Sequence, residues 1–220
     1  MRSVWNTGAC RVTALIVAGF AFTLSVSSCD DDGGPRMKAA DYNEAGWESY
    51  GLGDYASAHS SFVSALSMDG DLVEARLGLG WCEAWEGEHE AALESFDTVI
   101  ETGEFVGDAY AARAAAALAA SMDSLAVASA ESTLVMDADY VFARRDGYDW
   151  RDLRLILAQA RFAMAQYADA QEQVDILDPG NGLDPGDPAS WVVDEVAHPT
   201  YEAALAMEIE RLWAVQGGAL

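Results

Sequence analysis

Gly46 to Asp69 reads GWESYGLGDYASAHSSFVSALSMD, and its pattern returns 34 residues further along the chain. Gly46 is answered by Gly80, Trp47 by Trp81, Gly53 by Gly87, Ala58 by Ala92 and Phe62 by Phe96. One interval beyond stand Ala114, Ser121, Ala126 and Ala130. A fixed period of this length marks a repeat array, in which each unit buries its apolar face against its neighbours. Within a unit the apolar residues are spaced by three and four, which makes it helical. Gly53-Asp54-Tyr55 and Gly87-Glu88-His89 mark turns, where glycine takes the left-handed conformation that closes a first helix. Gly46 and Gly80, with Ala58 and Ala92, lack bulk where two helices cross. Phe62 and Phe96, four positions beyond those alanines, lie on the same face and fill the remaining gap.

These residues resemble the tetratricopeptide repeat. Leu79-Gly80, Gly87, Ala92, Phe96 and Val99-Ile100 repeat the pattern of the first unit. Tyr110, Ala114, Ala126, Leu134 and Asp137 carry a third unit, with Ser121 in place of the turn glycine and Ala130 in place of the aromatic. Leu157-Ala158, Tyr167, Ala170 and Leu177-Asp178-Pro179 fit a fourth after an insertion of about ten residues near Ala138 to Trp150. The expected fold is all-α: an α-solenoid of tetratricopeptide-like hairpins over 41–178, in units near 41–71, 74–104, 108–138 and 152–178. A Pro/Gly/Asp loop over 179–198 and a helix over 199–216 follow. That helix caps the array with Ala204, Leu205, Ile209 and Leu212 and begins at Pro199, where proline suits a first turn. Asp178, Asn181, Asp184 and Asp187 in the loop lack the spacing of an EF-hand, so the loop reads as solvated.

The N-terminus has a separate task. Arg2 and Arg11 flank an uncharged apolar run, Val12 to Val26, of signal-peptide size and too short for a comfortable membrane span. It ends in Val26-Ser27-Ser28-Cys29, which resembles a bacterial lipobox. Residues 1–28 are therefore expected to be a cleaved lipoprotein signal and Cys29 the lipidated residue. Residues 29–40, beginning Cys29-Asp30-Asp31-Asp32-Gly33-Gly34, form a flexible acidic tether. The formal net charge is −25, and −27 once Arg2 and Arg11 leave with the signal. Such a field disfavours nucleic acid and anionic lipid headgroups as direct ligands. Cys10 and Cys29 lie in or beside the signal, so Cys82 stands alone and makes neither an internal disulfide nor a zinc site.

In tetratricopeptide arrays the first helices line a concave groove that takes a peptide. Carried over by position, the resemblance assigns the groove to Asn43, Glu44, Trp47, Tyr50, Leu77, Trp81, Trp85 and Phe162. Ala111, Ala115, Leu118, Leu155 and Gln159 stand beside them. Tryptophan and tyrosine are frequent interface anchors. At Trp47 and Trp81 packing between neighbouring first helices competes evenly with the groove assignment, whereas Trp85 leans to the groove. Arg144, Arg145, Arg151, Arg154 and Arg161 cluster in and after the insertion. They either pair internally with neighbours such as Asp146, Asp149 and Asp152 or, with Tyr148 and Trp150 beside them, form a docking spot for an acidic partner or a membrane-proximal contact.

No catalytic constellation is evident. His59, His89 and His198 have no metal-binding or triad spacing, the glycines sit singly at helix ends, and nothing singles out a carboxylate pair such as Glu44 and Glu83. The chain is expected to be a non-enzymatic, membrane-anchored interaction module without cofactor or metal. It would bind a peptide or partner subunit in its groove within a bacterial envelope assembly, on the periplasmic side of the inner or outer membrane. A ligand- or glycan-binding lipoprotein and a self-associating structural component are the alternatives.

Overall fold

The structure, a computed structural model, describes residues 37–144 and 147–216. The signal segment, Cys29, most of the tether and Arg145 lie outside the described residues. Among the described residues eight helices form four hairpins: α1 (Ala39–Gly51) with α2 (Tyr55–Met68), α3 (Val73–Trp85) with α4 (His89–Thr102), α5 (Val106–Ala119) with α6 (Asp123–Met136), and α7 (Trp150–Ala163) with α8 (Tyr167–Leu177). Each helix packs on the next along the chain, and the first helices also touch one another, α1 on α3, α3 on α5 and α5 on α7. This is an all-α solenoid.

The hairpin turns are copies of one another. The amide of Asp54 donates to the Ser49 carbonyl, Glu88 to Glu83, Met122 to Ala117 and Gln166 to Arg161, at 2.8 to 3.0 Å. This is the six-to-one bond of a Schellman closure, and it needs a left-handed residue just before the donor. Gly53 and Gly87 supply that conformation with φ of 77° and 82°. Ser121 and Ala165 adopt it too, each with φ 58°, although their Cβ atoms make it costly. The six-to-one bond therefore holds the turn even where glycine is missing.

Glycines set the spacing of the first two units. A Cβ on Gly46 would come within 2.6 Å of the Phe62 ring, and one on Gly80 within 2.6 Å of Phe96. Gly78 faces the same Phe62 ring from the other side, closer still. Phe62 and Phe96 are fully buried, so each ring has nowhere to retreat. In the third unit the equivalent positions are Ala114 and Ala130, and both are buried. Seven buried alanines let α5 pack closely without bulk, while Arg113 on the same helix reaches out to Asp97 and Ser129.

Beyond α8 the stretch expected as plain loop contains a 3₁₀ turn (Pro188–Ser190) and a two-residue hairpin, β1 (Val192–Val193) with β2 (Val196–Ala197). Asp184, Asp187 and Ser190 bond neighbouring backbone there. The last helix, α9 (Tyr201–Gln216), starts after Pro199 rather than at it: Thr200 accepts the Ala203 amide through its hydroxyl and so caps the end. Ala204, Leu205, Ile209 and Leu212 of α9 are buried with Leu155, Ala158, Ala170 and Val174 of the fourth hairpin. Among the described residues no helix is long and apolar enough to cross a membrane.

Gly46→Ala and Gly78→Ala should each destabilise the fold by about 1–3 kcal/mol, the usual cost of overpacking, whereas Gly51→Ala, which meets nothing, should not. Urea denaturation midpoints of the three variants check this.

Candidate functional site

The face lined by the first helices is where the carried-over groove residues gather, and most of them are covered. Asn43, Trp47 and Tyr50 on α1 and Leu77 and Trp81 on α3 are buried, Trp81 being only 1% exposed. The balance between groove and core at Trp47 and Trp81 therefore falls to core. Ala111, Ala115 and Leu155 are buried as well, and Leu118 and Phe162 are half-buried. Glu44 and Gln159 are exposed.

Over α1, α3 and α5 the cover is the insertion itself, while Leu155 and Phe162 pack in the cluster that α9 completes. Between α6 and α7 the chain runs back over the first helices as a short hairpin. The Phe142 amide donates to the Tyr148 carbonyl (3.0 Å) and the Trp150 amide to the Tyr140 carbonyl (2.8 Å). Gly147, with φ 85°, helps the chain return. Phe142 enters between Trp47 (ring centroids 6.0 Å) and Trp81 (5.5 Å). Tyr148 meets Trp81 edge to face at 5.3 Å, and its hydroxyl donates to the Ala111 carbonyl at 2.7 Å. The Tyr140 hydroxyl donates to Asp108 Oδ1 at 2.9 Å. Arg144 lies 5.6 Å from the Trp47 ring centre and pairs with Glu74 and with Glu44 (3.4 Å). The hint was present in sequence, since Tyr140, Phe142, Tyr148 and Trp150 crowd into an otherwise charged stretch. Nothing in their spacing, however, said where they land.

The arginines do not form one docking cluster. Arg144 is engaged with α1 and α3, and Arg151 pairs with Asp149 (2.8 Å) and stacks on Trp150. Arg154 donates to Gln173 at 2.8 Å, and Arg161 pairs with Glu131. Each is drawn to a different element within the chain: Arg151 takes one of the expected acids, Asp149, while Arg144, Arg154 and Arg161 turn to other side chains. Glu44 and Glu83 do not meet either: Glu44 turns to Arg144, while Glu83 accepts from the Ser95 hydroxyl at 2.8 Å. Among the described residues no group of three or more His, Cys, Asp or Glu is placed to hold a metal ion.

One anchor position stays at the surface. Trp85, 37% exposed, stacks flat on Tyr55 (4.7 Å, 9°) and donates its indole N–H to the Tyr50 hydroxyl at 3.0 Å. It edges an apolar cavity of about 240 Å³ whose other walls include Ala84, His89, Ala115, Ala116 and Ala119. The alanines of α5 make this hollow, because small side chains leave room beside a large one. Glu86 and Glu88 adjoin it in sequence and are exposed. Cys82 lies behind, its thiol pushed up to about 12 chiefly by burial and further by Glu86 and Glu83, so it stays protonated and unreactive.

Two carboxyls around the first helices are raised. Burial pushes Glu83 and Asp108 above the ordinary carboxylate range, and the hydrogen bonds from Ser95 and Tyr140 pull them only partly back. Between the unfolded value near about 4 and the raised folded value, the native state holds more protons than the unfolded chain. The contribution to stability is complete below that window and fades as pH rises through the folded value. Asp108→Asn should therefore gain on the unaltered protein in melting temperature as pH goes from about 4 to 7, a gain that paired thermal melts would show. Trp81→Ala should cost about 3–5 kcal/mol in urea denaturation, as for a large side chain removed from a closed core. Trp85→Ala, which loses a stack and one hydrogen bond at the surface, should cost about 1 kcal/mol.

Comparison with known proteins agrees with this architecture. Residues 50–118 match the family model described as tetratricopeptide repeat. The chain is similar to a thermophilic TPR protein of Thermus thermophilus, with TM-score 0.53 and 16% identity over 82% of this chain and 84% of that one. It is similar to a tetratricopeptide repeat protein of Parabacteroides merdae (0.53, 15%, 81% and 65%) and to MamA of MSR-1 (0.53, 15%, 82% and 90%). No curated protein matches it. The described helices are an α-solenoid of tetratricopeptide-like hairpins with a C-terminal capping helix, and residues 50–118 carry the repeat that the family model matches.

Proposed function

We propose that this protein is a non-catalytic interaction module, held by a lipid on Cys29 at a membrane of a bacterial envelope, that grips a peptide or partner subunit. The observation that carries the interaction role is the way the first-helix face receives a non-helical stretch of chain. A phenylalanine enters between tryptophans, a tyrosine hydroxyl reaches a helix carbonyl, and an arginine meets two acids, here with the chain's own Phe142, Tyr148 and Arg144 as guest. Peptide-in-groove recognition rests on the same contacts. The Trp85 hollow is the part of this face that stands open, and it suits an apolar anchor flanked by basic residues.

The anchoring half of the proposal rests on the order of charge, apolar core and lipobox in residues 1–29. The strongly acidic chain repels anionic lipid headgroups, so a covalent lipid is the attachment it needs.

The deciding experiment is crosslinking in living cells with the full-length chain, followed by affinity capture and mass spectrometry, beside Trp85→Ala and Cys29→Ser. A small set of envelope proteins lost with Trp85→Ala, in a variant whose circular dichroism is unchanged, is the expected result. Cys29→Ser should move the protein from the membrane to the soluble fraction. Identical recovery from the unaltered chain and Trp85→Ala would remove the Trp85 hollow from the interaction.

A further inference from the structure

The connection between α6 and α7 is out of proportion. Residues 69–72 join α2 to α3 and 103–105 join α4 to α5, whereas 137–149 join α6 to α7. The helices it joins still pack on each other as the equivalent pairs do. The extra length is thus not needed to close the solenoid. It supplies a segment that crosses three first helices: Tyr140 and Tyr148 reach Asp108 and Ala111 of α5, Phe142 and Tyr148 meet Trp81 of α3, and Phe142 and Arg144 meet Trp47 of α1.

We infer that the loop residues 139–144 and 147–149 are a built-in ligand of this face, and that the face takes in trans a partner segment of the same chemistry. That segment carries two aromatic side chains two positions apart followed by an arginine, and it has to displace the loop. The inference rests on the interaction-module reading above and names the partner chemistry for it.

Three observations carry it beyond loop packing. The receiving face is acidic where the guest is basic, with Glu44 and Glu74 around Arg144. The guest is held on the face through its side chains, its one backbone bridge, Val141 to Asp149, lying within the loop itself, and Val141 between its two anchors is 64% exposed. The fit is also incomplete: Trp47 Nε1 and Asn43 Oδ1, on side chains no more than 5% exposed, meet no hydrogen-bond partner among the described residues. A buried polar group left so costs about 1–3 kcal/mol. A foreign segment whose backbone ran along α1 would supply an acceptor to one and a donor to the other, an advantage the loop lacks.

A tethered segment competes at an effective concentration of about 1 mM, so a free segment that binds the emptied face with a Kd near 100 µM should bind the intact protein roughly tenfold more weakly. The probe is a synthetic peptide of residues 139–150, DYVFARRDGYDW. It is titrated by calorimetry into the unaltered protein and into a full-length variant in which 141–148 are replaced by a short glycine-serine link. The expected result is saturable binding to the shortened variant, at least about tenfold weaker binding to the unaltered chain, and loss of both when the peptide carries Phe142→Ala and Arg144→Ala. If the shortened variant is not helical, the double variant Phe142→Ser, Arg144→Glu keeps the loop's length while loosening its hold and takes the same titration.

No binding to a folded variant, or equal binding to variant and unaltered protein, overturns the inference. Failure of both variants to fold overturns it as well, because the loop is then core and not ligand. Dimerisation of the loosened variant without peptide binding makes a second copy the occupant and overturns a foreign partner. None of these results bears on whether Trp85→Ala loses its crosslinked proteins, so the two readings fail separately.

Discussion

A phenylalanine ring lying against glycine where helices cross is the contact on which the rest depends. Phe62 is held between Gly46 and Gly78, and Phe96 lies on Gly80. Because no Cβ stands in the way, the second helix of a unit sinks into the first helices on both sides. The first helices are then drawn together, α1 on α3 and α3 on α5. That proximity puts Trp47 and Trp81 one interval apart on a single face, with too little small side chain around them to hide their rings. An exposed aromatic surface of this size is unfavourable in water. Something has to cover it, and in this chain the insertion does. The glycines and the loop are in this sense cause and consequence, although about 60 residues of sequence separate Gly78 from Phe142.

The two ends of the array solve the same packing problem with different side chains. At the first two units a large ring lies against glycine, while at the third the equivalent positions are the buried Ala114 and Ala130. The small side chains of α5 let it pack without a ring, and Ala115, Ala116 and Ala119 leave the hollow beside Trp85. At the far end the uncovered face of the fourth unit is closed by α9. There Arg211 joins Glu208 of its own helix to Asp178 at the end of α8, and the Tyr201 hydroxyl reaches Gln171 at 3.0 Å. Such terminal capping is required of a solenoid, whose last repeat has no neighbour.

The repeats were legible because their information is local and periodic. The turn glycines, the alanine at the crossing and the ring four places on recur at one interval, and helix geometry turns that interval into hairpins. Even the degenerate units obey it, since Ser121 and Ala165 are forced into the left-handed conformation by the bond that the following amide makes. The covered face was not legible, for a physical reason. A tryptophan at a helix position facing inward reads the same whether the space beyond holds water, a partner or another part of the chain. What decided between them was a contact between Phe142 and residues 61 and 95 positions earlier, and periodicity says nothing about such pairs. The aromatic content of the insertion was the available signal: in a solvated loop four aromatic residues within eleven positions have no purpose, so their presence asks for a surface to cover.

Charge shapes this face as much as its rings do. The chain is strongly acidic, and a self-repelling surface resists compaction. Arg144 lies where Glu44 and Glu74 face it from neighbouring first helices, and the charge and hydrogen bonds of these two acids outweigh the burial that works against its own charge. Removing the arginine would leave two carboxylates close together beside a buried tryptophan. Any segment that replaces the loop therefore inherits an electrostatic requirement, because aromatic bulk alone fills the space between Trp47 and Trp81 but leaves the acids unbalanced. A purely apolar segment would fit the shape and fail on charge. On the inference drawn above, a partner segment has to meet both demands at once, rings for the tryptophans and a positive charge for Glu44 and Glu74.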